Sequence, residues 1–337
     1  MERRRSNRST GSITISTVAE RAGVSEATVS RVMNGIPTVD RSLVQRVKAA
    51  AAEVGYRPNI VARGLARGSL QTLGVVVPNL ANPYFYQILK AIEASARSHD
   101  FRMLIADSDE DPDEELAICR WLATQVDSII LCSSRMSAEQ LMEVKGLVRS
   151  LVLTNRREES VPIAAVCADV DEAIQSLTTY LADQGHARAA YLAGPSLSWA
   201  NRDRLRALTA TTSLKITPIA SGGTIEDGYN AVPEALDTKP TVIVAFNDLV
   251  AFGALRRLKE LGVGVPEDVS LAGFDDIPFS SYASPPLTSI KNPHELLGTY
   301  GWELAERQLK GEPESTVTLV TSQLVLRGST GPVTTGS

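Results

Sequence analysis

The sequence predicts a small all-α N-terminal domain followed by a larger α/β domain of two lobes. Three observations support this prediction. Residues 13–57 carry apolar side chains at helical spacing, short β-rich runs alternate with helical stretches from Thr72 onward, and that alternation occurs in two successive sets. Regular alternation of strand and helix is typical of parallel sheets covered by helices, and two such sets indicate two lobes.

Charge is distributed unevenly along the chain. Residues 1–68 contain 12 Lys and Arg against 5 Asp and Glu, whereas the whole chain has a formal net charge of -5. A basic module attached to a larger acidic domain is the charge pattern of a polyanion-binding domain joined to a domain with another role. A disordered basic tail is the alternative, and it fits residues 1–12 but not the regularly patterned segment that follows.

The composition argues against an enzyme. The chain has only 3 His and 3 Cys, and no GxSxG, GxxxxGK[ST] or HExxH motif is present, so we expect no catalytic residues, no metal and no cofactor. The acidic run DSDEDPDEE is interpreted as a solvated loop and helix start. With no secretory signal and no apolar run of about 20 residues, we expect a protein of the reducing cytoplasm, associated with the nucleoid and not with a membrane.

Residues 13–57 predict three short helices. The first carries apolar side chains at helical spacing, and Gly23 suits the turn that follows because glycine adopts positive φ freely. Ser25 and Asp40 are suited to cap the second and third helices. Two short helices joined by a glycine-containing turn and braced by a third are typical of a helix-turn-helix domain, although any three-helix bundle could share the spacing.

The second helix of such a domain reads the major groove with its exposed side chains. Arg31 could bond guanine in bidentate fashion, Ala27 could meet a thymine methyl group, and Glu26 could accept from cytosine or only favour the helix N-terminus. The predicted DNA contacts, including flanking residues, are Thr14, Ser25, Glu26, Ala27, Thr28, Ser30, Arg31, Asn34, Tyr56 and Asn59.

Three motifs in order, TISTVAERAGVSEATVSRVMNG, YRPNIVARGLARG and LGVVVPNLANPYF, make the chain resemble the LacI/GalR family of bacterial transcriptional regulators from about Ile13 to about Arg327. The resemblance implies a periplasmic-binding-protein-like (type I) fold in residues 70–328 and a homodimer that binds pseudo-palindromic operator DNA. It also implies that the chain crosses between the lobes near residues 166–169, 289–292 and 320–323.

The same resemblance implies that residues 58–69 form a hinge helix that orders on DNA. In that picture Leu65 wedges into the minor groove, while Arg63 and Arg67 lie along phosphates. The alternative is a flexible basic linker, because isolated helices shorter than about 12–15 residues are only marginally stable in water.

Polar and aromatic residues follow several of the predicted strands, where ligands of α/β proteins bind. A small effector, a sugar or sugar derivative, is expected between the lobes, and its candidate contacts are Asn79, Asn82, Phe85, Asp169, Trp199, Asn201, Arg204, Asn247, Asp248 and Asp275. Each has an ordinary alternative as a turn, cap or core residue. The resemblance favours Arg204, Asn247 and Asp275, which match the family's usual effector contacts.

Three readings stay open at this point. The leading one is a dimeric regulator, expected to be a repressor, whose binding to operator DNA is controlled by a small effector. A body that responds mainly to a protein partner and a sugar-binding protein without a DNA role are the alternatives. Residues 329–337, with the composition TGPVTTGS near the end, are expected to form a disordered tail.

Overall fold

The computed structural model describes residues 13–33, 38–56, 69–312 and 316–334. The chain divides into two units, Met1–Leu70 and Gln71–Ser337, and each is described by itself. The hinge residues Arg63, Leu65 and Arg67 lie outside the described residues, as do Asn34 and Asn59.

The N-terminal unit contains three helices, α1 (Ile15–Ala22), α2 (Glu26–Met33) and α3 (Arg41–Val54). Gly23 ends α1 with φ 63, as its position in the sequence predicts, and the Asp40 carboxylate accepts from the backbone N–H groups at the start of α3. The bundle is held by a compact apolar core that includes Val18, Val29 and Val47. These observations confirm the predicted three-helix arrangement.

The larger unit alternates strand and helix along most of its length. Its helices are α4 (Pro83–Ser98), α5 (Pro112–Leu122), α6 (Ala138–Leu147), α7 (Asp171–Asp183), α8 (Trp199–Ala210), α9 (Ile225–Asp237), α10 (Asp248–Glu260) and α11 (His294–Leu309), with a 3-10 turn at Ser280–Tyr282. Its strands are β1 (Thr72–Val77), β2 (Arg102–Asp107), β3 (Ser128–Cys132), β4 (Ser150–Thr154), β5 (Ala164–Asp169), β6 (Arg188–Ala193), β7 (Lys215–Ala220), β8 (Val242–Ala245), β9 (Ser270–Asp275), β10 (Thr288–Lys291), β11 (Val317–Thr321) and β12 (Gln323–Val325).

The strands form two six-stranded sheets, one in each lobe. Their orders are β11-β5-β4-β3-β1-β2 and β12-β10-β9-β8-β6-β7. All pairings are parallel except that of β10 with β12. Nearly continuous apolar strands such as β3 and β8 are buried throughout, as expected when helices cover both faces of a parallel sheet. The two-lobed α/β prediction is confirmed.

The chain passes between the lobes at three places. It leaves the first sheet after β5, returns to the first lobe between β10 and α11, and passes from β11 to β12 at Ser322. The three crossovers lie side by side, because the Ser322 N–H donates to the Asp169 carbonyl at 2.8 Å and the Ser322 hydroxyl donates to the Asn292 side chain at 3.0 Å.

The C-terminal segment corrects one prediction. Residues 329–337 were expected to be disordered, but 329–334 pack on the second lobe. Ser329 is fully buried and bonds both the N–H and the C=O of Leu271, while the Gly331 carbonyl contacts the His186 ring at 3.0 Å. Composition alone misleads here because backbone groups of Ser329, Gly331 and Val333 form several of the bonds that hold this segment, and backbone groups are the same in every sequence.

Among the described residues, no helix is long and apolar enough to cross a membrane. In the same part of the chain, His, Cys, Asp and Glu side chains do not gather in groups that could hold a metal ion. The three cysteines are free and buried.

Candidate functional site

The second helix of the N-terminal unit presents a polar surface. Glu26, Ala27 and Arg31 are exposed and Thr28 and Ser30 are half-buried, because Val29 and Val32 take the opposite face into the core. This arrangement leaves the predicted base-reading side chains on one accessible side of α2. Their contact with DNA stays a prediction.

The residues that flank α2 have structural partners as well. The Ser25 hydroxyl accepts from the Thr28 N–H at 3.2 Å, so Ser25 caps α2 as its position predicts. Thr14 precedes α1 and shares a capping box with Thr17. Tyr56 packs half-buried against the helical core. These contacts do not conflict with DNA binding, since capping residues at helix N-termini commonly meet phosphates.

A cavity of about 200 Å³ lies between the two lobes of the larger unit. It is lined by residues that follow β1 to β4 in one sheet and β6 to β9 in the other, so the carboxyl ends of both sheets face it. Of the predicted effector contacts, six line the cavity, namely Asn79, Asn82, Phe85, Arg204, Asn247 and Asp275.

The lobe that contains β6 to β9 contributes a buried ion pair. Arg204 Nη2 donates to Asp275 Oδ1 at 2.9 Å, and Nη1 donates to the Phe246 carbonyl. The guanidinium lies between the rings of Phe246 and Phe274, with its carbon 4.9 Å and 4.5 Å from their centroids. Burial raises the pKa of Asp275, and the Arg204 charge opposes this rise. The pair therefore places a buried carboxyl group and its guanidinium partner at the cavity wall.

The other lobe contributes a second ion pair. Arg135 Nε donates to Glu110 Oε2 at 2.6 Å and Nη2 donates to Glu110 Oε1 at 3.2 Å, while Nη1 donates to the Ser133 carbonyl. Asn155 Nδ2 bonds the Ser133 hydroxyl at 3.0 Å beside them. Both lobes thus present polar groups that are already held in place.

Backbone strain concentrates around this cavity. Glu110, Ser133, Asn155 and Asp275 are all non-glycine residues with positive φ, at 62°, 51°, 58° and 99°. Such conformations cost about 1–3 kcal/mol each and cluster at ligand-binding positions. The strain supports the cavity as the functional site of the larger unit.

The predicted amide contacts also serve the local fold. Asn79 and Asn82 each accept from a backbone N–H two residues on, and Asn82 thereby caps α4. Asn247 caps α10 through its Oδ1 and donates from Nδ2 to the Gly223 carbonyl at 3.0 Å. Asn247 therefore also fixes the loop that contains Gly223, which lines the cavity from the same lobe.

Four predicted effector contacts do not line the cavity, and we correct them. Asp169 lies on the first crossover, where its carboxylate accepts from the Asp171 N–H at 3.2 Å. Asn201 Oδ1 accepts from the Tyr191 hydroxyl at 3.0 Å and from the Gly194 N–H at 2.8 Å, which directs it into the fold.

The other two corrections are Trp199 and Asp248. Trp199 packs half-buried against the apolar clusters of both lobes, under the Arg157 guanidinium, so its core alternative is the right one. Asp248 is buried behind the cavity wall, where it accepts from the hydroxyls of Ser280 and Ser289. Burial, reinforced by the negative Asp275, raises the pKa of Asp248 to about 8.

Sequence reasoning missed much of the first lobe's contribution. Glu110, Ser133, Arg135 and Asn155 line the cavity but were not predicted, and neither was Asp227 of the other lobe. Glu110, Ser133, Arg135 and Asn155 are polar residues that follow strands, whereas Asp227 lies in the first turn of α9. The same rule that found Asn79 after β1 therefore contained the signal for the first four.

Comparison with known proteins covers almost the whole chain. Residues 14–59 match the family described as bacterial regulatory proteins of the lacI family, and residues 70–325 match periplasmic binding proteins and the sugar-binding domain of the LacI family. The HTH-type transcriptional repressor CytR of Escherichia coli K12 is 32% identical over 327 residues, which cover 94% of this chain and 96% of CytR.

Solved structures agree in fold. The lac repressor dimer bound to operator and the anti-inducer ONPF has a TM-score of 0.82 at 28% identity, covering 94% of this chain and 99% of that one. A LacI family regulator from Enterococcus faecium with bound ribose has a TM-score of 0.69 at 26% identity, covering 78% and 99%. From its two matched domains and its 32% identity to a repressor over nearly full length, this chain belongs to the LacI/GalR family of bacterial transcriptional regulators.

Proposed function

We propose that this protein is a dimeric repressor that binds a pseudo-palindromic operator and releases or tightens on it when a small sugar-like molecule fills the interlobe cavity. One observation carries the proposal: a helix-turn-helix unit and a cavity lined by both lobes occur in the same chain. We infer no catalytic step. Because its partner would be chromosomal DNA, the protein would act in the cytoplasm.

The cavity supports a polyhydroxylated effector of small size. Its volume of about 200 Å³ lies below the ~300–1,000 Å³ of drug-sized clefts. Amides and ion pairs from both lobes offer donors and acceptors, and Phe85 and Phe246 offer apolar rings against which a sugar face can pack. The related regulator with bound ribose supports the same class of ligand.

The DNA contacts would come from α2 and from the segment after α3. Arg31 and Ala27 supply the types of side chain that read guanine and the thymine methyl group. Leu65, with Arg63 and Arg67, belongs to the hinge proposal and lies outside the described residues. If Leu65 wedges into the minor groove, Leu65→Ala weakens specific binding strongly and non-specific binding little.

A second copy of the chain would cover apolar surface on the second lobe. Tyr282 is 86% exposed, Phe279 57% and Ile225 51%, which is unusual for side chains of this size. The lac repressor structure with which the chain aligns is a dimer. Two-fold pairing would also match the symmetry of a pseudo-palindromic site.

Effector binding can reach the crossovers through buried hydrogen bonds. Asn292 donates to Asp275 Oδ1 at 3.0 Å, and its own Oδ1 accepts from the Ser322 hydroxyl at 3.0 Å. Ser322 in turn bonds the Asp169 carbonyl. A ligand that hydrogen-bonds to Asp275 would therefore affect the bonds at all three crossovers. The coupling free energy between two sites of an allosteric protein is typically about 1–3 kcal/mol.

The test begins with selection of bound duplexes from a random library. We expect a two-fold symmetric consensus, and its affinity should change when a panel of neutral monosaccharides is added. Arg31→Ala should relax the sequence preference at one position by about 1–3 kcal/mol. The matched control Arg46→Ala removes an exposed positive charge from α3 and should leave that preference unchanged.

Two results would contradict the proposal. Binding without any preference among duplexes would remove the DNA-reading role. An operator affinity that no small molecule alters, with calorimetry showing no ligand in the cavity, would favour control by a protein partner. In variants that thermal melts show to be folded, Arg204→Ala and Asp275→Ala should abolish the effector response while operator binding persists.

A further inference from the structure

Both arginines that line the interlobe cavity are paired with carboxylates. Arg135 and Arg204 are the arginines that line it, and each already bonds a carboxylate, Glu110 and Asp275 respectively. Asp227 also lines the cavity, where its carboxylate accepts from the backbone N–H and hydroxyl of Thr224. The cavity therefore offers a ligand hydrogen bonds but no unpaired positive charge.

Arg135 is the group whose charge is most completely compensated. Its side chain is 4% exposed, and Nε, Nη1 and Nη2 all donate to protein acceptors, two of these bonds forming a fork on the Glu110 carboxylate. A guanidinium without this fork would be the natural partner for a phosphate, because Arg recognises both anions in the same bidentate geometry.

The backbone of the loop that holds Glu110 is strained. Asp109 and Glu110 are consecutive non-glycine residues with positive φ, at 50° and 62°. The loop is pinned by the Glu110 N–H on the Pro78 carbonyl at 2.8 Å and by the Asp107 carboxylate, which accepts from the N–H groups of Leu80 and Asp109. Strain retained in this way indicates a position that the function requires.

Other charges nearby do not replace Glu110. The buried Glu115 accepts from the backbone N–H of Arg135 at 2.8 Å, and burial raises its pKa. Arg156 lies near Glu115 and is itself paired with Glu158 at 3.0 Å. Glu110 is the carboxylate that bonds the guanidinium of Arg135 and lines the cavity with it.

We propose that Glu110 is a specificity-determining residue: by occupying the Arg135 guanidinium it restricts the cavity to uncharged sugars and excludes their phosphate esters. The inference rests on the proposed function, since it refines which small molecule the cavity accepts. An anionic group entering the cavity would lose its hydration and meet the carboxylates of Glu110, Asp227 and Asp275 without a free cation. A neutral sugar brings no charge to these carboxylates and can hydrogen-bond to the polar groups that line the cavity.

The experiment compares ligands in pairs that differ only by a phosphate. Full-length protein is titrated calorimetrically with D-ribose and D-ribose 5-phosphate, with D-glucose and D-glucose 6-phosphate, and with inorganic phosphate alone. Wild type should bind the neutral member of at least one pair at least tenfold more tightly than its phosphate ester. Glu110→Gln should move that ratio at least tenfold towards the phosphate ester, because the Arg135 charge is then unmatched.

Two further variants make the result specific. Adding Arg135→Gln to Glu110→Gln removes the cation that has lost its carboxylate partner, so the affinity ratio should return towards the wild-type value. Glu143→Gln likewise removes one negative charge, from the exposed Arg120–Glu143 pair on α5 and α6, and should leave the affinity ratio unchanged. Thermal melts of each variant establish that the fold is retained.

The outcomes separate this inference from the function it refines. Tighter binding of a phosphate ester by wild type overturns the inference but leaves a ligand-controlled regulator. So does a folded Glu110→Gln protein whose preference equals that of wild type. If operator binding is intact but no member of any pair binds, the small-molecule part of the proposed function fails, and the inference fails with it.

Discussion

Removing the positive partner of the Arg204–Asp275 pair should destabilise the larger unit strongly. Both side chains are about 95% buried, with 4% and 5% exposure, and their atoms are 2.9 Å apart. Arg204→Met keeps the aliphatic packing between Phe246 and Phe274 but leaves Asp275 with the Asn292 amide as its remaining donor. Breaking a buried pair in this way costs about 3–5 kcal/mol.

The loss should depend on pH in a defined direction. Burial already raises the pKa of Asp275 and Arg204 opposes that rise, so the variant's carboxyl has a pKa raised further. A carboxyl whose folded pKa exceeds its unfolded value of about 4 favours folding at low pH, and this contribution is lost as pH rises. The destabilisation should therefore be larger at pH 8 than at pH 5.

Urea unfolding at both pH values, followed by fluorescence of the buried Trp302, measures the effect. Adding Asp275→Asn to Arg204→Met should recover part of the loss, with a coupling energy of about 2–3 kcal/mol. The control Arg206→Met breaks an exposed pair with Asp171 and should cost less than about 1 kcal/mol. The reasoning is refuted if Arg204→Met costs no more than the control, or costs the same at both pH values.

Three other effects follow from buried groups. Burial lowers the pKa of His294 to about 4, so the unfolded chain binds a proton below pH 6.5 before the folded one does. Stability should therefore fall by about 3 kcal/mol between pH 6.5 and 4, and His294→Gln should flatten that slope in acid titrations. Gly253→Ala would place a Cβ 1.8 Å from the Ile225 carbonyl oxygen where α9 and α10 touch, and should lower stability by about 1–3 kcal/mol in urea unfolding. A Cβ added at the helical position Gly146 meets open space, so Gly146→Ala should instead raise the free energy of unfolding by about 0.5–1 kcal/mol. A lower free energy of unfolding would contradict the open space around this position.

The elements could be predicted from sequence where local signals were strong. Gly23 and Asp40 mark helix ends because their conformational and capping roles need no tertiary context. The start of α4 at Pro83 is a further example. Its start had a readable signal in Asn82 as cap with Pro83 in the first turn.

The cavity was only partly predictable, because strand ends identify neighbourhoods and not side-chain directions. Asn247 and Asp248 are adjacent after β8, yet the first lines the cavity and the second is buried behind its wall. Successive residues at a helix start point about 100° apart, so one of such a pair faces the site and its neighbour does not. Which one does is decided by the packing of the loop around Ser280, which is distant in sequence.

The buried bonds that meet at Asp275 explain why one position can serve both ligand recognition and movement. Oδ1 accepts from Arg204 of the second lobe and from Asn292, which stands where the chain returns to the first lobe. A buried carboxylate cannot lose either donor cheaply. If a ligand hydroxyl competes for Asp275, the geometry of Asn292 must therefore respond, and Asn292 is bonded to Ser322 at the next crossover. The conformation of the crossovers is therefore coupled to ligand binding, because the carboxylate that the effector would contact is also bonded to the segment between the lobes.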